Sequence, residues 1–179
     1  MSSLQKFHRR TNSGAPVGPF TTIGSGSATI GFWVADSTTN KLVVAPKSTE
    51  TTLSWGSVGT FRNVRNTTNG LANTNTLAAF GASAHPAAHY CKNLTTGGYN
   101  TWYMPAQSEM YTMYLNKSVT PFATTDGYGA SGNYYLTSTE GNDSNNNCMW
   151  SQHMSNGSQY ASDLKMDSRR VRAVRRSTI

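Results

Sequence analysis

Apolar and polar positions divide the chain into a β-patterned start, a helical middle and a β-patterned last third. Residues 1–28 show no sustained periodicity; "SGAPVGPF" and "IGSGSA" interrupt them with Gly, Pro and Ser, so they read as an extended arm. From Ala28, "ATIGFWVAD" and "KLVVAP" are short β-leaning runs separated by "STTN", which predicts a hairpin. Residues 47–73 mix Gly, Thr and Asn with the aromatics Trp55 and Phe61 and read as loop with short strands. In "NTNTLAAFGASAHPAAHYCKNLTTGG", Ala87, Ala88, Cys91 and Leu94 recur at helical spacing, Pro86 suits a first turn, and Gly97 and Gly98 mark a stop. "AQSEMYTMYLNK" predicts a second helix with Met110, Met113 and Tyr114 on one face and Glu109 placed to favour the helix dipole. "NYYLTSTE", "NCMWSQHM", "SQYASDLKM" and "RRVRAVRR" then read as a meander of short strands, with Ser155, Asn156 and Gly157 as a hairpin turn. The pattern predicts an α+β domain over residues 29–179 behind an arm of residues 1–28.

Composition adds that this domain is folded. Apolar residues are only 36% of the 179, but four Trp, nine Tyr and six Phe supply large side chains to bury. Only 13% of residues are charged, and Thr, Ser, Asn and Gly abound, a balance typical of β-rich extracellular or virion proteins. The net charge of +7 is concentrated at the end, where Lys165, Arg169, Arg170, Arg172, Arg175 and Arg176 face only Asp167. No nucleic-acid module accompanies that charge, so nucleic acid is not an expected partner. Alternation in "RRVRAVRR" predicts a last strand with Val171 and Ala173 inward and arginines free to meet a neighbouring subunit or anionic sugars. The N-terminus has basic residues with no apolar run after them, and no stretch is apolar enough to span a bilayer; neither a secretory signal nor membrane insertion is expected.

Candidate chemistry is sparse. Cys91 and Cys148 form no CxxC or Cys/His cluster; they read as buried thiols or, in an oxidising place, a disulfide. "NDSNNN" offers oxygen ligands without the spaced carboxylates of a calcium loop, and only Glu140 and Asp143 lie close together. Glu109 and Glu140 are far apart in sequence, and His85 and His8 have no evident acid/base partner. Neither an enzyme, nor a metal, nor a cofactor is expected.

"GGYNTWYMPAQSEMYTMY" is similar to the "GGYSDWYLPS..EL..LY" core of a bacterial and phage domain family related to the Fibrobacter major-paralogue domain. "YYLTSTE", Trp150, Gly157 and "VRAVRR" resemble the family's ending, and "LVVAPKSTETTLSWGS" a segment found upstream in it. The resemblance covers residues 29–176. It implies a C-type-lectin-like fold, shared with variable proteins of diversity-generating retroelements, in which two helices flank small antiparallel sheets that present long loops. It further implies a phage virion protein, on a tail fibre or the particle surface, that attaches non-covalently to a host receptor or glycan. The arm would anchor to other virion proteins, within a homo-oligomer for which a trimer is the analogy. A structural decoration or fibre-joining protein and a bacterial surface adhesin are the alternatives.

With Trp150 and Met154 inward, strand alternation turns Ser151 and His153 outward. The expected ligand surface is Asn142, Asp143, Ser144, Asn145, Asn146, Asn147, Ser151, His153, Asn156, Gln159 and Tyr160, because Asn, Ser and Tyr supply adaptable donors, acceptors and area. The competing reading is a solvated loop.

Overall fold

The computed structural model describes residues 32–35, 40–117, 122 and 132–178; the arm of residues 1–28 lies outside them. Strands β1 (Phe32–Ala35) and β2 (Asn40–Val44) pair antiparallel with Phe32 opposite Val44, forming the expected hairpin. The other edge of β2 takes β8 (Val174–Thr178), Val44 opposite Val174, so the first and last strands of the domain share one three-stranded sheet.

A second sheet has the order β3-β7-β4-β5-β6. Its strands are β3 (Thr51–Ser54), β4 (Tyr134–Glu140), β5 (Cys148–His153), β6 (Gln159–Leu164) and β7 (Ser168–Val171). β4, β5 and β6 form an antiparallel meander, whereas β7 crosses to the far side of β4 and pairs with it in parallel at Tyr135 and Arg170.

"RRVRAVRR" is therefore two strands in two sheets. β7 ends at Val171, β8 begins at Val174, and Arg172 and Ala173 carry the chain between them. This corrects the expectation of one strand with its arginines outside. A residue passing between two sheets has no solvent face, and Arg172 is fully buried, its Nε donating to the Ala45 carbonyl at 2.6 Å. Its charge is answered by Glu50, which also accepts from Arg170 Nη1 at 2.8 Å and the Tyr135 hydroxyl at 2.7 Å. Arg175 is buried too, its guanidinium 3.6 Å from the centroid of the Tyr99 ring.

Among the described residues three α-helices pack on this frame where two were expected. The first predicted helix is split into α1 (Gly70–Ala78) and α2 (Pro86–Lys92), because Gly81 adopts φ +90° and ends the helical path. Asn69 caps α1 through its Oδ1, which accepts from Ala72 N at 3.1 Å, and Pro86 opens α2 as predicted. α3 (Gln107–Leu115) matches the second predicted helix.

The buried side chains form two clusters. Trp55, Leu77, Ala87, Ala88, Cys91 and Trp102 pack with Leu136, Met149 and Val171, joining α1 and α2 to the larger sheet. Met110 and Met113 of α3 pack with Leu42, Val44, Tyr103, Tyr135, Met154 and Val174. Trp102 and its neighbour Tyr103 thus fill different clusters, and Tyr103 and Val174 exchange backbone hydrogen bonds of 2.8 and 2.9 Å between them.

Candidate recognition surface

Most of the chemically capable side chains point inward and are used by the fold. Glu109, reaching back to cap α3, accepts from Ala106 N (2.8 Å), Gly70 N (3.1 Å), the Tyr103 hydroxyl (2.9 Å) and Arg176 Nη2 (2.8 Å). One buried carboxylate therefore ties together the starts of α1 and α3 and strand β8. Glu140 and Lys165 form a fully buried ion pair at 2.5 Å; Glu140 also accepts from Arg62 N at 3.0 Å, and Lys165 donates to the Thr60 carbonyl at 2.7 Å. The same Nζ lies 4.8 Å from the centroid of the Trp55 ring, whose Nε1 donates to the Thr137 carbonyl at 3.1 Å.

His85, at the N-cap of α2, accepts at Nε2 from Arg62 Nε (2.8 Å), which leaves Nδ1 to donate to the Trp55 carbonyl at 3.0 Å. Burial holds its pKa below the ordinary histidine value. Cys91 and Cys148 are free thiols. Burial pushes both up in pKa, Cys91 furthest, so neither has the thiolate character of a nucleophile. Among the described residues no group of three or more His, Cys, Asp and Glu is arranged to hold a metal ion.

The 142–147 segment is a loop tied from inside and open outside. Asp143 accepts from Asn147 N and Cys148 N, both at 2.9 Å, and these bonds lower its pKa. Asn147 accepts at Oδ1 from Gly59 N at 2.8 Å, fastening the loop to residues 57–61. Asn146 takes φ +55°, a left-handed conformation that asparagine tolerates better than most residues. With Asp143 and Asn147 so occupied, Asn142, Ser144 and Asn145 are the exposed members. They stand beside an open groove of about 480 Å³ lined by Phe61, Arg65, Asn142, Asp143, Ser144 and Asn146.

The remaining predicted residues lie elsewhere. Ser151 is a correction: it is fully buried, not outward, because its strand neighbours on that side, Leu136 and Met149, belong to the core. A register shift between Met149 and Ser151 breaks simple alternation, so Met154 is buried as expected while Trp150 is only half-buried. His153, half-buried, packs edge-on against Tyr134 with ring centroids 4.5 Å apart, and Tyr160, 38% exposed, lies 5.8 Å from the same ring. Asn156 is exposed in the turn and accepts at Oδ1 from Ser158 N at 2.9 Å. Gln159 exchanges hydrogen bonds with Gln107, donating to its carbonyl at 2.9 Å and accepting from its Nε2 at 3.2 Å.

The predicted surface is thus two surfaces. Cys148–His153 separates the loop from the hairpin turn, and at about 3.3 Å per residue they stand roughly 17 Å apart, too far to share a small ligand. Phe61 and Arg65 escaped sequence reasoning because they are far from the loop in the chain and no local periodicity marks them. Arg169 lies 5.8 Å over Tyr134 and pairs with Asp163 and Asp167, each at 3.0 Å.

The family model for the Lcl C-terminal domain matches residues 33–175. No curated protein and no solved structure matches the chain.

Proposed function

The chain belongs to the Lcl C-terminal domain family, a family of phage and bacterial proteins, and from that premise we propose that it is a recognition module of a phage virion. Its domain takes a C-type-lectin-like arrangement, in which small sheets and flanking helices hold loops for non-covalent attachment to a host-surface receptor or glycan. The observation that carries this reading is the division of labour in the 142–147 loop. Asp143 and Asn147 spend their polar atoms on backbone N–H groups, so the conformation is set before any ligand arrives. Asn142, Ser144 and Asn145 stay exposed above it. Preorganised polar groups lose little entropy on binding, which a merely solvated loop has no need of. The inward use of Glu109, Glu140, His85 and the thiols supports binding over catalysis. The protein would act as a homo-oligomer anchored through residues 1–28, where several weak contacts add by multivalency.

Binding of fluorescently labelled protein to bacterial cells tests this. The Asn142→Ala/Asn145→Ala variant is expected to lose most cell binding while melting as the parent does. Equal binding by parent and variant overturns the reading and favours a decoration or fibre-joining role.

A further inference from the structure

Residues 58–65 carry an unusual pair of stacks. The Arg65 guanidinium lies 4.8 Å from the Phe61 ring centroid, and the Arg62 guanidinium lies 3.8 Å from that of Phe80. Val58, Phe61 and Phe80 are 41%, 47% and 50% exposed, which is high for side chains of this size. Among the described residues Arg65 makes no hydrogen bond or ion pair, and the Arg62 guanidinium gives its Nε to His85 and meets no carboxylate. Asp143, which lines the same groove, accepts from Asn147 N and Cys148 N, and Glu140 accepts from Arg62 N and pairs with Lys165.

We infer that Val58, Phe61, Arg62, Arg65 and Phe80, beside the 142–147 loop, form a docking surface for a protein partner that presents carboxylates next to apolar side chains. Two guanidinium groups without an acid partner among the described residues supply charge complementary to such a surface, and stacking on phenyl rings holds each one in place. Aromatic residues and arginine at the centre with Asn and Ser at the rim are the composition of protein–protein contact sites. The groove is open, so a small ligand would leave much of its area in water, whereas a polypeptide would cover Phe61 and its stacked Arg65 together. This inference rests on the recognition reading above and names its partner.

Two-dimensional amide NMR of the full chain tests it, using a synthetic peptide of alternating glutamate and tyrosine, its glutamine counterpart and a galacturonate oligosaccharide. The glutamate peptide is expected to shift residues 58–65, 80 and 142–147. The glutamine peptide and the Arg65→Ala variant should each weaken that binding about tenfold, the scale of a contact hot spot, with Arg65→Lys recovering part of it. Leu115→Ala, at the end of α3, should bind as the parent does. Equal binding of the glutamine peptide, equal or tighter binding of the galacturonate at these residues, retained binding by Arg65→Ala, or no shift at all overturns the inference. If it fails while Asn142→Ala/Asn145→Ala still abolishes cell binding, the recognition reading stands with another ligand class; if cell binding also survives that variant, both fall.

Discussion

Lys165 and Glu140 are the sharpest case of charge used internally, since both side chains are fully buried and each is the other's counter-ion. Lys165→Met leaves the carboxylate with only Arg62 N as donor and should cost about 3–5 kcal/mol in urea unfolding. The Lys165→Met/Glu140→Gln double variant removes the stranded charge and should recover most of that loss; a double variant as unstable as the single one would refute the pairing argument. His85 gives a pH prediction. Its folded pKa lies below its unfolded value, so the unfolded chain takes up the proton first. The stability it contributes is complete above the unfolded value of 6.5 and is lost as pH falls from there through the folded pKa. Parent protein and His85→Gln should therefore differ most in unfolding midpoint near about pH 7.5, and the gap should narrow towards about pH 5.5.

Among the elements, the hairpin joining β5 and β6 is clamped by the end of α3. Lys117 Nζ donates to the carbonyls of Met154 (3.1 Å) and Ser155 (2.8 Å), and the Tyr114 ring lies where a side chain on Gly157 would sit, 2.5 Å from an ideal Cβ. Gly157 also holds φ +83°. Gly157→Ala meets both obstacles and should lower stability by roughly 1–3 kcal/mol, measured by thermal unfolding. Gly59→Ala shares the positive φ but has open space, so it should cost less. Helix positions were legible at this scale because Pro86 and the spacing of Met110 and Met113 act locally. The break at Gly81 was visible only as a residue type, since a single glycine inside an alanine-rich run is compatible with either one helix or two.

At the scale of the whole molecule, the two sheets are one cooperative unit. Arg172 and Ala173 run directly from β7 to β8, Tyr103 bridges to Val174, and Glu50 and Arg172 join the segments before β3 and after β7. Tryptophan fluorescence and far-ultraviolet circular dichroism should therefore report a single coincident urea transition, because Trp55 and Trp102 sit in the core that links these parts. Two separated transitions would show that the sheets unfold independently.

The sequence alone determined the α+β class, the first hairpin, the meander and two helix positions, because each follows from local periodicity or turn chemistry, and its motifs carried the family resemblance. It also marked the 142–147 loop, whose Asn and Ser density is a local feature. What surrounds that loop was decided by tertiary structure. Phe61 and Arg65 reach it across about 80 residues of chain, a proximity that no periodicity encodes. The same holds for Ser151, which alternation turned outward and packing against Leu136 and Met149 turned in. The terminal arginines looked like a free cationic edge because charge is read residue by residue. Tertiary structure buries Arg169, Arg172 and Arg175, Arg172 between the two sheets, and brings Glu50 and Glu109 from far away in the chain as counter-ions to Arg170, Arg172 and Arg176.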